Sequence, residues 1–261
     1  MAPELALITT VHDPDQRMLA HIGAAIDRLR WYDEVFAAAT DQTDDTVIAA
    51  LRDAGAHVEI VPAGVPGIAQ RLALRGGLEA GHASLLYCDF DRWLHWGWTH
   101  PDELAALPER FAVEHSDAWY LCIGRTERAF ATHPLAQRLP EEATNRALAR
   151  LLGRTIDATA GAAWLSREAG EMILRCSRAA SKATDLEWPA IVMQSGTHRV
   201  QGVFVEGLEF ETADFYRDEQ DRIGSREAWM TETFDHPAMY QQRLQLAVDS
   251  IAAMRAILDQ P

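Results

Sequence analysis

Asp89 and Asp91 are the residues of this 261-residue chain best suited by type and spacing to do chemistry. They follow an apolar run, Ser84-Leu85-Leu86-Tyr87-Cys88, that reads as a buried strand of a parallel sheet. With the strand extended through them, period-two geometry puts both carboxylates on the same side. The carboxyl ends of strands are where open α/β sheets bind ligands. Two ionised carboxylates held together need a counter-charge, and a divalent cation carrying phosphate oxygens supplies it. Oxygen ligands suit Mg²⁺ or Mn²⁺. The competing reading of the tripeptide is an ordinary polar strand ending.

The elements that must position this pair alternate regularly. Residues 5–11 read as a first strand, 17–31 as a helix, 34–40 as a second strand and 46–54 as a helix. Residues 57–62 form a third strand, and 68–80 a helix that Gly76-Gly77 weakens. The Asp-bearing strand is then the fourth. This alternation predicts an α/β fold, an open, mainly parallel sheet flanked by helices. Further on, His100-Pro101 opens a helix, 118–124 reads as a strand, 141–152 as a helix, 158–165 as a strand and 167–178 as a helix. Asp185-Leu186-Glu187-Trp188-Pro189 starts another helix or turn, and the alternation in 198–210 suggests a strand pair. The last segment, 237–258, is a long amphipathic helix with Leu244, Val248, Ile251, Met254 and Leu258 on one stripe. That stripe can pack on the sheet or make a homodimer.

Bulk properties exclude several classes. A net charge of −15 argues against a nucleic-acid or anionic-membrane partner, while a metal and local arginines still permit a nucleotide. Cys88, Cys122 and Cys176 are odd in number and far apart, so no disulfide framework is expected. The start is acidic rather than signal-like, and no stretch reaches the roughly 20 apolar residues of a membrane span. A cytoplasmic protein without an integral membrane segment is the expectation.

In this order the pieces resemble the GT-A-type glycosyltransferases, in the pattern of the family 2 group. The resemblance runs from Leu5 to about Trp96, with looser echoes beyond. It is carried by the Asp-rich turn Thr40-Asp41-Gln42-Thr43-Asp44-Asp45-Thr46, by a Gly/Arg-containing helix, and by Asp89-Phe90-Asp91. It implies one GT-A-like domain over 1–261, with a nucleotide-sugar half (1–100) and an acceptor half (101–261) ending in the C-terminal helix. The implied activity is metal-dependent transfer of a sugar from a nucleoside-diphosphate-sugar to an unknown acceptor. Asp91 would then ligate a metal bridging the donor diphosphate, and Asp89 would bond ribose or help hold the metal. Asp41 could accept a hydrogen bond from base or ribose, although it also suits a plain turn. Thr9, Thr10 and His12, ending the first strand, could line the same crevice, although Thr9 is also an ordinary β-branched strand residue.

The resemblance implies three further roles. Arg71 and Arg75 are the basic candidates beside the donor, although the family's Ala-Arg-Asn form is absent and spacing does not choose between them. Asp185-x-Glu187 resembles the acidic pair that supplies a general base, an assignment that competes with simple helix capping. His236, or else His198, would complete the metal shell. Trp164 and Trp188 could stack on a sugar, and the aromatic cluster from Trp93 to His100 could shape a sugar pocket or simply pack. A phosphatase using Asp-x-Asp fits poorly, since Trp93 stands where Thr is usual. The alternative from another class is a non-catalytic module of the same fold that binds a nucleotide sugar or a partner.

Overall fold

The computed structural model describes residues 5–259. The acidic start, Met1–Glu4, lies outside the described residues. Seven strands form one sheet: β1 (Ala6–Val11), β2 (Val35–Thr40), β3 (His57–Val61), β4 (Ser84–Cys88), β5 (Tyr120–Arg125), β6 (Ala162–Ser166) and β7 (Val200–Val205). Their order is β3-β2-β1-β4-β6-β5-β7. β1 to β4 run parallel and β7 runs parallel to β5, while β6 is antiparallel to both its neighbours. The expected open, mainly parallel sheet is therefore present.

Period-two alternation divides the core between the two faces. Leu7, Ala37 and Leu86 face one layer with Trp93 and Trp96. Ile8, Phe36 and Leu85 face the other with Leu74, Leu78 and Trp188. The helix Pro66–Glu79 tolerates Gly76-Gly77 because it needs them. A Cβ on Gly77 would stand 2.6 Å from a Leu85 methyl, and one on Gly76 would strike the Phe36 ring at 2.7 Å. Absent side chains let this helix press onto the sheet, and packing overrides its weak propensity.

Three local expectations are corrected. The first helix covers Leu19–Ala25 and then tightens into a 3₁₀ turn, Ile26–Trp31. The suggested strand pair in 198–210 is the single strand β7, whose partner is β5. Asp89 and Asp91 do not extend β4. The chain turns at Asp89, and Phe90–Thr99 is a helix that buries Phe90, Trp93, Leu94 and Trp96. Their i, i+3, i+4 spacing is helical, and those rings belong to the core rather than to a pocket. The final helix spans Pro237–Leu258 as expected, packing on the helices Leu135–Leu152 and Thr184–Met193. Its stripe is divided: Met254 is buried, while Leu244 and Val248 are exposed. No helix among the described residues is long and apolar enough to cross a membrane.

Candidate active site

The sheet order reverses between β1 and β4, and the crevice outside the carboxyl ends of such strands is the usual ligand site of an open α/β sheet. A cavity of about 410 Å³ lies there. Thr10, Val11 and His12 come from the end of β1, Thr40 from β2, and Pro62, Gly64, Val65 and Pro66 from the turn after β3. Asp89, Asp91 and Lys182 close the opposite side. The turns are pinned locally. Asp13 accepts hydrogen bonds from the Arg17 and Met18 amides, both at 2.8 Å, which brings Met18 to the wall. Thr43 Oγ1 donates to the Val11 carbonyl at 3.2 Å, tying the ends of β1 and β2.

Asp89 is fully engaged. Its Oδ1 accepts from Thr10 Oγ1 at 3.0 Å and from the Tyr87 hydroxyl. Its Oδ2 receives Lys182 Nζ at 2.5 Å, with Arg92 Nε at 3.9 Å. Burial opposes its charge, but Lys182 and Arg92 outweigh burial and hold the carboxyl below its ordinary value. Asp91, in the first helical turn, accepts only the Arg92 amide, at 2.8 Å, and has no ion pair among the described residues. Burial, reinforced by the Glu211 and Asp89 charges, pushes it up to about 7. Gly161, at φ +70°, passes directly behind the pair: its carbonyl accepts the Asp89 amide at 3.0 Å, and a Cβ there would stand 2.7 Å from Asp89 Oδ2.

This arrangement fits a small divalent cation. Asp91 is a half-buried, unpaired carboxylate facing the cavity, and a cation would relieve the repulsion that raises its pKa. No three His, Cys, Asp or Glu side chains converge as a metal centre among the described residues. The chain therefore offers one or two carboxylate oxygens, the usual share for Mg²⁺-type sites completed by substrate phosphates and water.

The other candidates are placed as follows. Thr10 and His12 line the cavity, His12 Nδ1 lying 2.8 Å from Thr40 Oγ1. Thr9 is fully buried and donates to the Cys88 carbonyl at 2.7 Å, a bond between β1 and β4. Asp41 is exposed and accepts the Ala63 amide at 2.9 Å, so it holds the turn that carries Pro62 and Gly64. Arg71 donates to Ser177 Oγ at 3.0 Å and to the Ala179 carbonyl at 2.5 Å, and Arg75 is exposed; neither lines the cavity. His236 is an exposed N-cap of the last helix and His198 is also exposed, so neither reaches the Asp pair. Trp188 is buried and donates to Ser177 Oγ at 3.2 Å; Trp164 donates to Ser84 Oγ at 2.6 Å.

The acidic pair divides by function. Glu187 is buried and accepts from Ser177 Oγ at 2.5 Å, the Arg178 amide at 2.7 Å and the Ala179 amide at 3.0 Å. It fastens the loop 177–182. Asp185, one helical turn past Lys182, borders two small spaces, one beside Tyr87 and Gly161 and one beside Glu141, Arg243 and Ser250. Burial is the main cause that pushes Asp185 up to about 7; Lys182 and Arg92 pull against it, while Asp89 and Glu141 add to it.

No family model matches the sequence, and no curated protein matches it. Solved structures do. Glucosyl-3-phosphoglycerate synthase of Mycobacterium tuberculosis superposes with a TM-score of 0.58 at 15% identity, over 99% of this chain and 82% of that one. Its complex with Mn²⁺, uridine diphosphate and phosphoglyceric acid gives a TM-score of 0.52 at 16% identity, over 99% and 80%. Its complex with Mn²⁺, UDP-glucose and phosphoglyceric acid gives 0.52 at 15% identity, over 96% and 80%. The fold is GT-A-like.

In this GT-A-like fold, Lys182, Arg92 and Glu211 are the charges acting on Asp89 and Asp91 that sequence reasoning missed. Only Lys182 lines the cavity, and it stands 93 residues from its partner Asp89. The loop bearing it sits tightly on the helix Pro66–Glu79. The Gly67 amide donates to the Ala180 carbonyl at 2.9 Å, and a Cβ on Gly67 would stand 2.8 Å from the Ser181 carbonyl. Gly67→Ala is therefore expected to lower stability by about 1–3 kcal/mol through backbone overpacking, read by denaturant unfolding; an unchanged midpoint would refute the close approach.

Proposed function

We propose that this protein transfers a sugar, of hexosyl type, from a nucleoside-diphosphate-sugar to an acceptor hydroxyl with Mn²⁺ or Mg²⁺. The observation carrying this reading is the 410 Å³ cavity at the reversal of a GT-A-like sheet, bounded on one side by Asp89 and Asp91. Val11, Met18, Pro62 and Val65 give an apolar slot for base and ribose, and Asp91, Thr10 and Lys182 a polar end for the diphosphate. Asp91 would hold the cation, which supplies charge neutralisation of the departing nucleoside diphosphate. Asp185 would take the proton from the acceptor hydroxyl, since a carboxyl titrating near 7 is matched to general-base work at neutral pH. Thr9, Asp41, Arg71 and Glu187 would support these groups through the bonds described above. The complexes of the similar mycobacterial enzyme make UDP-glucose the first donor and phosphoglyceric acid the first acceptor to test.

Calorimetric titration with UDP and GDP, with and without Mn²⁺, tests the reading. One of the nucleotides is expected to bind only with metal. Asp91→Asn is expected to weaken that binding by at least about tenfold, because an amide oxygen carries no charge for the cation. A folded protein that binds no nucleotide at any metal concentration would sink the proposal. Binding without sugar transfer or donor hydrolysis would leave a nucleotide-sugar-binding module.

A further inference from the structure

Lys182 is the only Lys or Arg lining the cavity among the described residues, and it is already paired. Its backbone is held from three directions. Gly67 bonds to the Ala180 carbonyl, Arg71 to the Ala179 carbonyl and Ser177, and Glu187 to the Arg178 and Ala179 amides. The ammonium, by contrast, sits at the end of a four-carbon stem whose side chain is 33% exposed. The geometry is a fixed pivot with a movable head. With the head on Asp89 Oδ2, and Thr10 and Tyr87 on Oδ1, both oxygens of Asp89 already have partners, and the ammonium charge opposes a divalent cation beside it.

A donor diphosphate entering the same cavity would offer the ammonium a second anionic partner. We propose that Lys182 is a resident counter-ion that moves from Asp89 to the donor's diphosphate, so that Asp89 opens to the cation only when nucleotide arrives. Metal and nucleotide then bind as a coupled pair, each tightening the other by the same factor. A lysine suits this exchange better than an arginine would. Its compact charge on a flexible stem can change partner without giving up a bidentate fork. The inference rests on the donor reading above.

The test measures Mn²⁺ binding to the free protein, by paramagnetic titration of unbound Mn²⁺, alongside UDP affinity. Lys182→Met is expected to tighten Mn²⁺ alone by about tenfold and to weaken UDP by about tenfold, two changes of opposite sign. Lys182→Arg should restore UDP affinity in part. Asp89→Asn, which gives the ammonium no anion to leave, should reduce the factor by which UDP tightens Mn²⁺. If Lys182→Met weakens both ligands, or alters neither, while wild type binds UDP with metal, the role assigned to Lys182 is overturned and the donor reading stands. If wild type binds no nucleoside diphosphate, both fall together.

Discussion

Asp185→Asn is expected to slow sugar transfer by roughly 10²–10⁴-fold while leaving donor affinity unchanged, since the amide fills the same space but takes up no proton. With metal and donor saturating, so that the cation holds Asp91 ionised, the wild-type rate should rise with pH through about 7, where Asp185 loses its proton, and the variant should lack this limb. The same substitution should act on stability with a defined sign. A carboxyl whose folded pKa is raised binds its proton more tightly when folded, so its contribution to stability declines as pH rises from about 4 towards 7. Above 7 the full cost of a buried charge remains. Asp185→Asn should therefore raise the thermal midpoint at pH 8 and leave it unchanged near pH 4. A nucleotide-release assay and thermal unfolding at both pH values check this; an active variant or a flat wild-type pH profile would remove Asp185 from the chemistry.

Arg125→Met is expected to cost about 3–5 kcal/mol of stability, the usual penalty for leaving a buried charge without its partner. Arg125 ends β5 with its side chain fully buried, donating to Asp157 through Nε at 2.8 Å and Nη2 at 2.9 Å, with Glu141 Oε2 at 2.8 Å from Nη1. Asn145 adds a 2.7 Å bond to Asp157. Burial alone would raise the Asp157 pKa, but Arg125 and these hydrogen bonds outweigh it and hold the carboxyl well below its usual range. Its stabilisation is thus complete above about pH 4 and is lost as pH falls below the ordinary carboxylate range. Without Arg125 the sign reverses, because burial then favours the protonated acid. Between pH 4 and 7 this pair should leave the wild-type denaturant midpoint level, whereas the variant's midpoint should fall as pH rises; parallel behaviour would mean that the ion pair is not what stabilises this region.

The half of the sheet formed by β1 to β4 was legible because it repeats one unit. β1, β2 and β4 are apolar runs and β3 an alternating one, each bounded by polar turns with helical spacing between, and this pattern survives without knowledge of tertiary contacts. The helix Pro237–Leu258 was legible at both ends, with Pro237 in its first turn and an apolar stripe along it. What failed depended on partners distant in the chain. Phe90, Trp93 and Leu94 have helical spacing, yet the Asp-x-Asp pattern invited a strand extended as far as Asp91. Glu187 and Asp185 are indistinguishable by type and position in the sequence; only the amides of Arg178 and Ala179, folded back onto Glu187, separate them. Lys182 gives no local signal, because what singles it out is a carboxylate on another element.

The last helix brings Arg243, Leu246, Ala247 and Ser250 to one side of Asp185. The residues lining the donor cavity all lie at or before Lys182. On a ribosome, then, every residue lining that cavity has been made before the wall beside Asp185. A chain cut near residue 236 would carry every cavity-lining side chain and lack that flank of Asp185. Under the proposed function, such a fragment is expected to lose donor to water, read as nucleotide release that no longer depends on an acceptor.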